Sequence, residues 1–338
     1  MQFVITDSPT TEINWMLSQK KYSGVAVLAD RNTRKHCYPQ IQSHIGTHSV
    51  IEIPAGEEEK NIRSCEEIWG KMTALGFDRH SLLIVLGGGV PGDMGGFCAA
   101  TFKRGIDFIL LPTTLLSMAD AAIGGKLGID FQTYKNHIGV FALPLKTVIF
   151  PDFLKTLPER ELRSGFAEVI KHCLLSDENE WNEIKKHDLK NQNWKRLIEL
   201  SAIYKTKVTA SDPKEKGERK LLNLGHTIGH ALESFYLRTD HRIFHGEAIA
   251  MGLILESKIA SRKKMLSEKA FEEIDLCLRK IYQPFMPLPA VSELMSVIRQ
   301  DKKNKGDSIL MALLTGIGTA AWDVEVSQAE IEESFNTF

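Results

Sequence analysis

Five aliphatic residues, Leu82-Leu83-Ile84-Val85-Leu86, run directly into Gly87-Gly88-Gly89, and this junction constrains the fold more than any other part of the chain. An unbroken Val/Ile/Leu run is the mark of a strand buried on both faces, and such strands belong to parallel sheets covered by helices. Glycines at the strand's exit let the backbone approach a ligand closely. The N–H groups of a helix that follows favour an anion such as a pyrophosphate. The pattern predicts that helix after Pro91, within Val90-Pro91-Gly92-Asp93-Met94-Gly95-Gly96-Phe97. In open α/β sheets ligands sit at the carboxyl ends of strands, where this turn lies. The spacing is not Gly-x-Gly-x-x-Gly, so the turn alone leaves two readings open, phosphate binding and a tight strand–helix junction.

Similar short runs recur through the first 150 residues. Val25–Asp30, Ser49–Ile53, Phe108–Leu111 and Thr147–Phe150 read as strands. Ile62, Cys65, Ile68, Trp69 and Met72 place a helix over Glu58–Leu75. After Pro151 the character changes to helix after helix: Leu162–Leu175, Trp194–Val208, Leu221–Tyr236, Glu247–Lys264 and Phe271–Ile281, with one late strand at Ile309–Leu314. The expected architecture is an α/β N-terminal domain over 1–152 and a mainly α-helical domain over 153–338. A chain of 338 residues suits two domains of about 150.

Hydrophobic residues make up 43% and charged residues 25%, enough for a large core, which excludes a disordered or disulfide-stapled chain. The formal charge of −1 gives no global electrostatic case for nucleic acid or an anionic membrane. Cys37, Cys65, Cys98, Cys173 and Cys277 are scattered, odd in number and without a CxxC pair, which predicts a reduced, cytoplasmic setting. Met1–Asp7 lacks a basic region leading into an apolar one, so no signal peptide is expected. No apolar run approaches the roughly 20 residues of a membrane span.

The second chemical constellation is Leu222-Asn223-Leu224-Gly225-His226-Thr227-Ile228-Gly229-His230, followed by His245-Gly246-Glu247. His226 and His230 are four apart and share one face of a helix. Neutral imidazoles there suit a transition metal, and catalytic zinc takes three protein ligands with one position open; a buried, hydrogen-bonded histidine pair is the bland alternative. Glu168, among apolar neighbours in Gly165-Phe166-Ala167-Glu168-Val169-Ile170-Lys171, is a candidate carboxylate that needs a cationic partner if buried. Arg104, Lys126, Lys135, Lys171, Lys205 and Arg219 punctuate the same stretches. Singly they read as solvated charges; together they suit a substrate with carboxylate and phosphate groups. Asp30, after the first strand, suits a ribose or a helix cap. The loop Asp301-Lys302-Lys303-Asn304-Lys305-Gly306 reads as solvated surface.

Four long motifs taken in order resemble 3-dehydroquinate synthases. They are Gly87–Asp93; Pro112-Thr113-Thr114-Leu115-Leu116-Ser117-Met118-Ala119-Asp120 continuing to Gly124-Gly125-Lys126; Leu157–Lys171; and Leu222–His230. The resemblance spans about Pro54 to Gly316. It implies conversion of 3-deoxy-D-arabino-heptulosonate 7-phosphate to 3-dehydroquinate and phosphate in the shikimate pathway. It also implies NAD used catalytically, a divalent metal (Zn2+ or Co2+), a Rossmann-like N-terminal domain with a helical C-terminal one, and a homodimer.

Carried over position by position, the resemblance implies Glu168, His226 and His245 as metal ligands, which moves His230 to the substrate side. It implies NAD contacts at Asp30, Asn32, Glu57, Lys60, Gly88, Gly89, Val90, Asp93, Thr113, Thr114 and Thr156, with Lys126 and Lys135 shared. Substrate contacts would come from Asp120, Lys126, Lys135, Asn136, Lys171, Lys205, Arg219, Asn223 and His230, with Glu215 nearby. Arg104 would reach the phosphate, from a neighbouring subunit, and Lys302 or Lys303 would clamp the substrate. Leu127, Tyr134, Pro91 and Pro213 depart from the family pattern. None of them replaces an ionisable residue with an implied role, so altered loop shape is expected rather than lost activity.

Overall fold

The structure, a computed structural model, describes residues 3–132, 134–283, 285–299, 309–336 and 338; Lys302 and Lys303 lie outside the described residues. The chain forms two compact units, Met1–Leu162 with Trp194–Ala202, and Arg163–Asn193 with Ile203–Phe338.

The first unit contains β1 (Phe3–Ile5), α1 (Pro9–Gln19), β2 (Val25–Asp30), α2 (Arg31–His36), β3 (Ser49–Ile53), α3 (Ile62–Ala74), β4 (Leu82–Gly87), α4 (Gly89–Thr101), β5 (Asp107–Pro112), β6 (Lys126–Phe131), β7 (Tyr134–Phe141) and β8 (Lys146–Ile149). Six strands make one parallel sheet in the order β1-β8-β5-β4-β2-β3. All six residues of β4 are buried, as its unbroken aliphatic run requires. From β2 the chain steps outward to β3, then returns to lay β4, β5 and β8 on the other side. The connections leaving β2 and β4 therefore diverge, which opens a crevice at the carboxyl ends of these strands. Ala29 pairs with Leu86, so Asp30 and Gly87 leave the sheet side by side.

Helix α4 begins at Gly89, not after Pro91. Proline is tolerated in a first turn because the N–H it lacks has no intrahelical partner there. The hairpin β6–β7, absent from the sequence reading, packs beneath this helix. A Cβ at Gly96 would lie 2.6 Å from Leu127 Cδ2, so the glycine makes room for the leucine. Leu127 is 5% exposed and sits in a core with Met94, Phe97 and Ile129. Its departure from the family pattern is thus a packing feature rather than a change in a loop. Leu127→Ala is expected to cost about 2–4 kcal/mol by opening a cavity against α4, read as a lower urea midpoint.

The second unit continues α5 (Glu159–Ser176) and holds α6 (Glu178–Ile184), the end of α7 (Trp194–Ser211), α8 (His226–Tyr236), α9 (His245–Arg262), α10 (Glu268–Tyr282), α11 (Val291–Arg299), the antiparallel hairpin β9 (Ile309–Gly316) and β10 (Thr319–Val326), and α12 (Gln328–Phe335). The expected helix over Leu221–Tyr236 is shorter than its periodicity. Glu218–Asn223 is a 3-10 turn, and Gly225 breaks the run with a left-handed φ of 76°. That break makes His226 the first residue of α8. No helix among the described residues is long and apolar enough to cross a membrane.

Candidate functional site

In the second unit three side chains meet at one carboxylate oxygen. Glu168, in the middle of α5, is fully buried. His226 and His245 open α8 and α9, and their Nε2 atoms stand 3.3 Å and 3.2 Å from Glu168 Oε1. Two donors each about 2.1 Å from a tetrahedral ion are about 3.4 Å apart, so these separations fit one ion held by all three. The donor set, one carboxylate and two imidazoles with ligand atoms mutually within 4.8 Å, could hold a metal ion, and three such ligands are the number that catalytic zinc uses.

The second oxygen of Glu168 pairs with the ammonium of Lys171, one helical turn on and equally buried. Burial would push the Glu168 carboxyl up, but Lys171 and His226 more than reverse this and hold it well below the usual carboxylate range. Each histidine turns its other ring nitrogen to a separate acceptor: His226 Nδ1 faces the Leu224 carbonyl at 2.9 Å, and His245 Nδ1 faces Glu233 Oε2 at 3.1 Å. Burial lowers the His226 pKa, and Glu168 only partly compensates. Burial opposes the His245 cation too, yet Glu233 and Glu168 outweigh it and raise that ring to about 10.

The helices that carry these donors are pinned to one another. Gly246 N donates to Ser164 Oγ at 3.0 Å, and a Cβ at Gly246 would stand 1.9 Å from the Ser164 carbonyl oxygen. Buried Glu256, on α9, accepts from Gly225 N at 2.6 Å and Ile228 N at 3.0 Å, capping the start of α8. Ser164, Glu233 and Glu256 were not singled out in the sequence. Glu233 left one signal, a carboxylate seven residues after His226 and so on the same helical face.

Other positions implied in this unit surround the centre differently. His230 is exposed, with its ring centroid 5.0 Å from that of His226 and 5.8 Å from that of His245. It belongs to a second grouping, with Glu233 and His245, rather than to the set around Glu168. Arg219 is 2% exposed and donates from Nη1 to the Pro213 backbone carbonyl at 2.9 Å. Asn223 Nδ2 donates to Glu215 Oε1 at 2.6 Å, and Lys205 is buried.

In the first unit the residues after the strands form a second cluster. Asp30 caps α2, accepting from Thr33 N at 2.8 Å, so its cap reading is realised; Asn32 is exposed on the same helix. Gly88, Gly89 and Asp93 line a small cleft at the end of β4 with Pro112 and Ser117. Thr114 packs against Gly88, Thr113 N donates to the Gly87 carbonyl, and Val90 is half-buried in the first turn of α4. Lys60, nearly buried, donates to Asp93 at 2.6 Å and to Asn136 Oδ1 at 2.5 Å, while Lys135 pairs with Glu57 at 2.9 Å. Asn136 holds a left-handed φ of 50°. Arg104 and Lys126 are exposed, Asp120 is half-buried, and Thr156 is exposed in the turn after β8. Tyr134 stacks obliquely on His137 at the hairpin's tip.

Comparison with known proteins places the chain. The 3-dehydroquinate synthase N-terminal family matches residues 50–164, and the C-terminal family matches residues 165–304. The 3-dehydroquinate synthase of Parabacteroides distasonis is 36% identical over 99% of this chain and 97% of its own length. That of Campylobacter concisus is 38% identical over 86% of this chain and 84% of its own. Among solved structures, the 2-epi-5-epi-valiolone synthase of Streptomyces hygroscopicus subsp. jinggangensis, with NAD+ and Zn2+ bound, superimposes with a TM-score of 0.89. It is 25% identical, over 99% of this chain and 95% of its own. With both halves of the family matched and the similarity running the length of the chain, this protein belongs to the 3-dehydroquinate synthase family.

Proposed function

We propose that this chain converts 3-deoxy-D-arabino-heptulosonate 7-phosphate to 3-dehydroquinate and phosphate, with NAD recycled in each turnover and a Zn2+ or Co2+ ion held by Glu168, His226 and His245. The observation that carries this reading is the meeting of those three donors in a chain of this family. A metal held by Glu168, His226 and His245 would supply Lewis acidity toward a substrate hydroxyl, and a bound nicotinamide would supply reversible hydride chemistry, the ketone stage being the one at which a neighbouring C–H is acidic enough for loss of phosphate.

The chain's own residues do the rest. Lys171 keeps Glu168 ionised in a dry site, so the carboxylate stays a ligand without taking up a proton. Buried Arg219 presents a planar fork suited to carboxylate or phosphate, and Lys205 adds a point charge. Asn223, steadied by Glu215, offers an amide to a substrate hydroxyl. His230, exposed beside the ligand histidines, is placed to hold or pass a proton at a substrate oxygen. The departing phosphate serves as its own base in the elimination. Fixed groups of this kind act by orientation and electrostatic stabilisation. In the first unit, the Gly88–Asp93 turn and Lys60, paired with Asp93, are assigned to NAD, and Asn136, which accepts from Lys60, to the substrate. A homodimer and a cytoplasmic location complete the proposal.

The test is incubation of purified protein with the heptulosonate phosphate, NAD and zinc. Phosphate and dehydroquinate should appear together with no net reduced nicotinamide at steady state. Accumulating reduced nicotinamide would mean a polyol dehydrogenase. Turnover only of a sugar phosphate without the carboxylate would mean another cyclase. Light scattering tests the dimer.

A further inference from the structure

We propose that Glu233 is a positioning residue for the metal ligand His245, accepting its Nδ1–H and so holding the ring in the tautomer whose Nε2 lone pair faces the ion; this rests on the metal reading above. Glu233 is 5% exposed, and its Oε2 lies 3.1 Å from His245 Nδ1, while His245 Nε2 points at Glu168 Oε1. An imidazole that gives one nitrogen to a metal must carry its proton on the other, and the acceptor of that proton sets the ring's orientation and basicity.

The two ligand histidines are treated differently. His226 has a backbone carbonyl as acceptor, so no side-chain substitution can remove it. His245 depends on a side chain from another helix, twelve residues away in sequence. A carboxylate acceptor makes the imidazole a stronger ligand than a neutral carbonyl does. Glu233 therefore contributes to metal affinity without touching the metal or the substrate. Its place on α8, two turns beyond His226, ties that helix to the first residue of α9.

Glu233→Gln and Glu233→Ala, stripped with chelator, are compared with wild type by zinc competition against a chromophoric chelator. Glutamine keeps an acceptor oxygen and loses the charge; alanine loses both. Zinc affinity should fall roughly 10-fold for glutamine and towards 100-fold for alanine, with an altered visible spectrum in the Co2+ forms. A merely structural role would lower the metal-free melting temperature. Here that temperature should stay near wild type while the rise on adding zinc shrinks. Wild-type affinity in both variants overturns the inference. So does a wild type binding two ions per chain that drops to one at unchanged affinity in Glu233→Gln, since Glu233 would then be a ligand beside His230. If wild type itself binds no zinc, the metal reading falls first, and the two failures are distinct. Should the alanine variant not fold, the near-isosteric glutamine variant decides the matter alone.

Discussion

Glu168→Gln should abolish metal retention and turnover together, and should destabilise the metal-free protein by about 3–5 kcal/mol. Both effects come from one carboxylate whose two oxygens have separate duties. Oε1 faces both imidazoles, while Oε2 neutralises the ammonium of Lys171. Removing the negative charge takes one of the three proposed ligands from the ion. It also takes the Glu168 charge away from a lysine that is 1% exposed in a low-dielectric interior. Adding Lys171→Met to Glu168→Gln separates the two duties: the double variant should recover most of the lost stability and none of the metal. Urea unfolding of chelator-treated proteins measures the first quantity, since bound metal would otherwise add its own stabilisation. Metal analysis after dialysis measures the second. A Glu168→Gln protein that keeps stoichiometric zinc would remove this residue from the ligand set.

How far the sequence spoke for itself differs between fold and site. Strands β2, β4, β5 and β8 were legible because burial leaves a run rich in aliphatic residues, and the edge strand β3 was legible from Val50, Ile51 and Ile53 despite the exposed Glu52 between them. The hairpin β6–β7 was not, since glycines at 128 and 139 and charges at Lys126, Asp130 and Lys135 interrupt any alternation. β1, three residues at the sheet's edge, is too short to carry a pattern, and β10 mixes Trp322 and Asp323 at a bulge. The start of α4 was misjudged because proline reads as a boundary when seen from the sequence alone.

At the site, spacing drew attention to His226 and His230, whose shared helical face is real, yet only His226 reaches Glu168. His245 and Glu168 come from other helices; the sequence offered them as a following histidine and a candidate carboxylate, and the family resemblance joined them with His226 in place of His230. Contacts such as Glu233 to His245 or Glu256 to Gly225 depend on how helices pack, which no local period encodes. His226 and His245 share one local feature, since each is the first residue of its helix. Helix starts leave N–H groups unpaired, and here Glu256, reaching from α9 to the start of α8, and the Glu247 side chain at the start of α9 answer that need.

Gly246→Ala should be the most damaging single methyl in the second unit, costing about 3 kcal/mol or more and emptying the metal centre even in molecules that still fold. The added Cβ would lie 1.9 Å from the Ser164 oxygen and 2.5 Å from its carbonyl carbon and Cα. All three are backbone atoms of α5 and cannot rotate aside. Restoring van der Waals contact near 3.5 Å requires the two helices to part by about 1.5 Å. His245 immediately precedes Gly246, and Glu168 lies one turn beyond Ser164, so that movement is delivered to two of the three proposed ligands. Metal sites tolerate ligand displacements of only about 0.2 Å, so zinc affinity should fall beyond the roughly 100-fold that loss of a hydrogen-bonded partner costs. Gly70→Ala is the matching control. Gly70 lies exposed in α3, and a Cβ there meets nothing within 4 Å. The same substitution at Gly70 should stabilise by about 0.5–1 kcal/mol through helix propensity and leave metal content unchanged. Opposite signs in urea unfolding, with zinc lost only from the Gly246 variant, are the expected result; equal behaviour would mean that α5 and α9 do not meet at Ser164.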